Sequence, residues 1–123
     1  MKTAVIVLSD PGNGDEALGR VFNALAFAYD LKQRKQHVEV LFQGAGTRWA
    51  AQLTSGDHPV HGLYKAVEDT IVGASSACSD FFGARLDAER SGFDLVSENK
   101  VPGTSGLPSL ARLAAEGYTV LTF

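Results

Sequence analysis

A single thiol, three imidazoles and one glycine-rich turn hold most of the chemistry that this chain of 123 residues can offer. Cys78 stands in Ser75-Ser76-Ala77-Cys78-Ser79, between an apolar run and a segment of helical spacing. At a strand-to-helix junction, unpaired backbone amides and the positive helix end favour a thiolate, the form a nucleophile needs. Free cysteine is also among the most buried residue types, and Asp80 two positions on opposes ionisation if its carboxylate approaches the sulfur. One cysteine makes no intrachain bridge, so Cys78 is either inert filling or a lone reactive group. No histidine lies near it in sequence, and nothing in the spacing requires His58 or His61 to form a dyad with it.

The turn Ser9-Asp10-Pro11-Gly12-Asn13-Gly14 can present backbone amides to an anion, as glycine-rich turns before helices do. Ser9, Gly12, Asn13 and Gly14 are therefore candidate ligand-binding residues, with Ser76 and Ser79 facing them from beside Cys78. Known cofactor loops fit poorly. Gly14 and Gly19 have Walker A spacing, but Arg20 and Val21 replace the lysine and the hydroxyl that holds magnesium. The second strand ends in Phe42-Gln43, not in an acid able to hold a ribose. A flavodoxin-type phosphate loop needs hydroxyls where Pro11 and Gly14 stand, and Asp15 repels phosphate. No cofactor is expected, and a plain flexible turn is the competing interpretation. Asp57-His58-Pro59-Val60-His61 sets two imidazoles beside a carboxylate, but Pro59 breaks the helix that would align them and further ligands are missing. No metal site is expected. A phosphoacceptor aspartate is also missing after the third strand, which runs into Ala74-Ser75-Ser76.

Hydrophobic periodicity supplies the elements that must position these residues. Ala4 to Leu8 is a continuous aliphatic run, the pattern of a strand buried on both faces. From Asp15 to about Gln36 the period becomes helical, with Leu18, Val21, Phe22, Leu25, Ala28 and Tyr29 on the apolar side. Phe27 falls among the polar residues Glu16, Arg20, Asn23, Asp30 and Arg34, where another subunit would cover it. Strands follow at Val38–Phe42, Thr70–Ala74, Phe93–Val96 and Tyr118–Phe123. Between them come short helices carrying Trp49 and Leu53, then His61 to Asp69, Asp80 to Arg90, and Pro108 through Ala114, with Gly92 and Gly117 as terminators. Asn99 to Gly106 is a loop, and His37 and Trp49 serve strand entry or packing.

Alternating strands and helices require a parallel sheet with right-handed crossovers. The expected fold is α/β, a three-layer flavodoxin-like domain over residues 1–123, with a five-stranded, mainly parallel sheet in the order 2-1-3-4-5 and helices on both faces. That order places the glycine turn and the Cys78 segment side by side at the switch point, where open α/β sheets bind ligands.

Composition narrows the function classes. Eleven basic residues against fourteen acidic ones give a net charge of -3, which argues against phosphate backbones and anionic membranes as partners. The apolar run at Ala4–Leu8 is too short for a signal-peptide core and no stretch approaches a membrane span, so a cytoplasmic protein is expected.

In order and spacing these segments resemble the DsrE/DsrF-like family, with its TusD- and YchN-related branches. The likeness rests on the opening strand with Ser9-Asp10-Pro11-Gly12-Asn13-Gly14, the helix Ala17 to Leu31, Val38 through Gly46, Ser76-Ala77-Cys78-Ser79 and the closing Tyr118–Phe123. It implies an oligomeric α/β domain and, in the sulfur-handling branch, a cysteine after strand three that carries sulfane sulfur as a persulfide. Cys78 is the matching residue. The insertion Thr47 to Asp69 and the acid at Asp80 depart from that pattern. The leading expectation is a sulfur-relay carrier, a sulfurtransferase-type protein performing carriage and not turnover, with donor and acceptor proteins as partners. Two alternatives stand beside it: a binding module for a small anionic or phosphate-bearing ligand, and a structural subunit of a homo-oligomer.

Overall fold

A computed structural model describes all of residues 1–123. The elements run β1 (Lys2–Val7), α1 (Gly14–Gln33), β2 (His37–Phe42), α2 (Trp49–Leu53), α3 (His61–Val67), β3 (Ile71–Ser75), α4 (Ser76–Phe81), α5 (Arg85–Arg90), β4 (Leu95–Val96), α6 (Leu110–Ala115) and β5 (Thr119–Thr122). Short 3-10 turns at Pro11–Asn13 and Gly44–Arg48 follow β1 and β2.

All five strands are parallel, so the expected α/β class holds, but their order is β4-β3-β2-β1-β5 and not 2-1-3-4-5. Burial explains the difference. Val38, Val40, Leu41 and Phe42 are all buried, so β2 is apolar on both faces and belongs inside the sheet, paired with β1 and β3. Half-polar β5 and two-residue β4 take the edges. The chain thus steps outward from β1 to β4 and returns to the far side of β1.

Right-handed crossovers made in one direction put their helices on one face. There α1, α2, α3 and α5 bury Val21, Leu25, Trp49, Leu53 and Val67 against Val5, Val7, Val40 and Phe42. The return crossover puts α6 on the other face, where Leu113 covers Ala4, Ile6 and Leu41. No helix is long and apolar enough to cross a membrane.

α1 begins with Asp15 and Glu16 in its first turn. It ends where Lys35 adopts a left-handed φ of 59°, which lets Gln36 N–H reach Leu31 O at 2.9 Å. Its aromatic residues do not divide as the periodicity suggests. Phe27 packs on Phe123 with ring centroids 6.2 Å apart and joins the core, whereas Phe22 and Tyr29 are exposed. In place of the one helix expected from Asp80 to Arg90 there are two, α4 beginning earlier at Ser76 and α5 at Arg85. Gly83 at φ +66° separates them, with Ala84 N–H returning to Ser79 O at 2.8 Å.

Candidate functional site

Cys78 is the third residue of α4, within the helix and not in the loop before it. The helix starts early because Ser75 is its N-cap: the Ser75 hydroxyl accepts from Cys78 N–H at 3.1 Å. Ala77 N–H donates to Gly106 O at 2.7 Å, so the first-turn amides of Ala77 and Cys78 already have partners. Ser79 is fully buried and its hydroxyl donates to Ser75 O at 2.7 Å. Ser76 is buried as well. Within Ser75–Ser79 only Cys78 reaches the surface, on the same side of α4 as Phe81 and Phe82 at three and four residues' spacing.

Asp80 does not act as a bare charge beside the thiol. Arg85 Nε donates to its Oδ1 at 2.6 Å and the Ser105 hydroxyl to its Oδ2 at 2.8 Å. These two bonds, in that order, hold the Asp80 carboxyl below the ordinary range. Arg85 Nη2 also donates to Ser76 Oγ at 2.6 Å and to Ser105 Oγ at 3.2 Å. The 97–107 segment is thereby tied to α4, and an antiparallel bridge between Asn99 and Leu107 closes it. Gly106 is required there, since a side-chain carbon would fall 2.5 Å from Ser97 O. An open cleft of about 270 Å³ lies between Ala77, Asp80 and Phe81 on α4 and Gly103, Thr104 and Ser105 on the segment.

The glycine turn lies two strands away from α4, because β2 separates β1 from β3. The expected shared crevice is filled by the Gly44–Arg48 turn, whose Gly46 backbone lies against Val7 O and Leu8 Cα. Arg48 bridges the two loops. Its Nη1 donates to Asp10 Oδ2 at 3.1 Å, its Nε donates to Phe82 O at 3.0 Å, and its guanidinium lies 5.6 Å from the Phe82 ring centroid. In the glycine turn, Asp10 Oδ1 accepts from Gly12 N–H at 3.0 Å, which occupies an amide that an anion would need. Gly12, Asn13 and Gly14 are exposed. Ser9 O accepts from Trp49 Nε1 at 2.9 Å, confirming Trp49 as packing. Ser9 and Asn13 share a separate cleft with Glu16, Ala17 and Arg20, where Arg20 Nη2 is already paired with Glu16 Oε1 at 2.8 Å.

The imidazoles do not converge. His58 Nδ1 accepts from Val60 N–H at 3.1 Å, whereas His61 Nδ1 lies 2.7 Å from Leu53 O. At the opposite end of the sheet, Tyr118 donates to Glu39 Oε2 and His37 Nε2 lies 2.9 Å from the Tyr118 hydroxyl. Burial would raise the Glu39 carboxyl, but the bonds from Tyr118 and His37 outweigh it and lower it. Tyr118 is pushed up to about 12, first by that bond and then by burial. Arg48, Arg85, Ser105 and this cluster had no signature in the sequence, because their partners lie up to 81 residues away. Asp80 and Arg85, five apart, and His37 and Glu39, two apart, were near enough to suggest pairs.

The model of the DsrE/DsrF-like family matches residues 1–123. An uncharacterized protein of Methanocaldococcus jannaschii, MJ0733, is 27% identical over 121 residues, which is 98% of this chain and 94% of that protein. Two solved structures share the fold. A conserved protein of unknown function from Bacteroides thetaiotaomicron, BT1422, superposes with a TM-score of 0.61 at 18% identity, covering 98% of this chain and 94% of that one. The YchN protein of E. coli gives a TM-score of 0.54 at 20% identity over the whole of both chains.

Proposed function

Because this chain belongs to the DsrE/DsrF-like family, we propose that it is a sulfur carrier in which Cys78 holds one sulfane sulfur as a persulfide. The observation that carries the proposal is that Cys78 is partly exposed while its neighbours Ala77 and Ser79 are buried. A cysteine serving only as core filling belongs with Ala77 and Ser79, not at the rim. The charge pairing around it also favours an anion: Asp80 is neutralised by Arg85, and Arg48 rests on Phe82, one helical turn beyond the thiol.

The chemistry needs only one thiol. The Cys78 thiolate attacks the terminal sulfur of a donor persulfide; the new Sγ–S bond forms as the donor's S–S bond breaks and its cysteine leaves as thiolate. An acceptor thiolate then attacks the terminal sulfur on Cys78 and expels the Cys78 thiolate. Each step exchanges one S–S bond for another, so no outside oxidant or reductant is consumed. Donor and acceptor proteins, a reducing cytoplasmic setting and a homo-oligomeric state all belong to this proposal. The glycine turn then shapes the sheet edge through Asp10 and Arg48 and takes no part in the transfer.

Intact mass spectrometry after incubation with a cysteine desulfurase and cysteine tests it. One added sulfur on the wild type and none on Cys78→Ser is expected; an unmodified wild type would end the carrier proposal. Folded Cys78 should also react with iodoacetamide without denaturant.

A further inference from the structure

We infer that His37 Nε2, Glu39 Oε2 and the Tyr118 hydroxyl oxygen form one face of a binding site for a divalent first-row transition cation. The site lies at the N-terminal end of the sheet, and the inference does not depend on Cys78 or on sulfur transfer.

Three strands bring the donors together. His37 and Glu39 alternate on β2 and so share one face, in register with Lys2 and Ala4 of β1. Tyr118 immediately precedes β5 on the other side of β1, where Thr119 pairs with Thr3. Ala4 is small enough to let the Tyr118 side chain reach over β1 to β2. There His37 Nε2 stands 3.1 Å from Glu39 Oε2 and 2.9 Å from the Tyr118 oxygen, which is itself in hydrogen-bond contact with the same Oε2. Ligands on bonds of about 2.1 Å stand about 3.0–3.4 Å apart in octahedral or tetrahedral sites, close to the spacing of these donors.

Charge points the same way. Glu39 is a carboxylate on an inner strand, beside buried Ala4 and Leu41, and its only ion-pair partner is His37. Arg112 is spent on Glu98 and Glu116, and Lys2 lies over the Tyr118 ring at 5.0 Å from its centroid. A carboxylate drawn into a sheet is stabilised by a positive charge, which the cation supplies. Imidazole, carboxylate and phenolate suit copper, zinc or iron, whereas calcium and magnesium require more oxygens. The His58–His61 pair takes no part.

The protons balance. In the metal-free chain Tyr118 donates to Glu39, so His37 carries its proton on Nε2, facing the two oxygens. On binding, that proton is exchanged through solvent for one on Nδ1, the Tyr118 proton leaves, and the ion bonds to both freed atoms. The Glu39 charge that holds the Tyr118 proton in place is neutralised by the same ion.

Titration of the full chain with Cu2+ is the test, in a Cys78→Ser background because a thiol binds and reduces copper. One equivalent should produce a phenolate-to-copper charge-transfer band in the visible and release about one proton in weakly buffered solution. Tyr118→Phe should abolish the band. His37→Gln and Glu39→Gln should each weaken binding at least about tenfold, with circular dichroism verifying folding. His37 is half-exposed, so its variant decides the matter even if Glu39→Gln does not fold. A titration of the unsubstituted site that gives no such band overturns the inference. So does a band that survives Tyr118→Phe, or an affinity unchanged by His37→Gln, either of which places the copper elsewhere. None of these outcomes bears on whether Cys78 accepts sulfur.

Discussion

Arg85 grips Asp80 across the break at Gly83, with Nε 2.6 Å from Oδ1, and the same guanidinium reaches Ser76 Oγ at 2.6 Å. One side chain therefore pairs the Asp80 carboxylate and also satisfies the hydroxyl of buried Ser76. Arg85→Gln should lower stability by about 1 kcal/mol, mainly through Ser76, because hydrogen bonds to buried groups outweigh exposed ion pairs. Urea unfolding measures the loss. Asp80→Asn, which spares Ser76, should cost less.

The second face of the sheet depends on one helix. Leu113 is the fully buried anchor of α6 against Ala4, Ile6 and Leu41. Leu113→Ala should cost about 2–5 kcal/mol in chemical denaturation. Exposed Phe22→Ala should change the stability of the monomer by less than about 0.5 kcal/mol.

Two glycines predict opposite signs. A side-chain carbon at Gly46 would collide with Val7 O, backbone that cannot retreat without disturbing β1, so Gly46→Ala should destabilise by about 1–3 kcal/mol. Gly62 lies inside α3 with open space around it, and Gly62→Ala should stabilise by up to about 1 kcal/mol. Thermal unfolding of the two variants should move in opposite directions.

The Glu39–Tyr118 bond gives stability a pH dependence of known sign. Glu39 titrates below its ordinary 4.5 in the folded chain, so its contribution is present above that value and is lost as pH falls through the lowered one. Tyr118 is raised to about 12 from 10.0, so its contribution is present below 10 and is lost as pH rises toward 12. In Tyr118→Phe, burial of Glu39 should prevail over the remaining His37 bond. Acid destabilisation should then begin at higher pH, and a carboxyl carbon titration by NMR should show Glu39 moved upward.

Much of this architecture was legible before any coordinates. The aliphatic run at Ala4–Val7 and the helical period from Asp15 are local patterns, and so are the stops at Gly92 and Gly117, where Phe93 and Tyr118 amides return to Ala88 O and Leu113 O. Strand order was not legible in the same way. It depends on which strands are apolar on both faces, and placing β5 and not β3 on the second side of β1 requires comparing whole strands. Phe22 and Phe27 exchanged roles for a related reason. Periodicity locates a helix face only to within a residue or so, and the position of Phe123 decides which aromatic is covered.

By itself, the sequence determined a parallel α/β domain, a single cysteine after the third strand and the membership that points to sulfur carriage, since these follow from short-range patterning and residue order. Only the tertiary structure decided that Cys78 sits inside a helix at the surface, that Arg85 silences Asp80, and that Arg48 fills the space between the two loops. Such contacts join residues up to 38 positions apart, and their energies depend on distance and burial, which no spacing along the chain encodes.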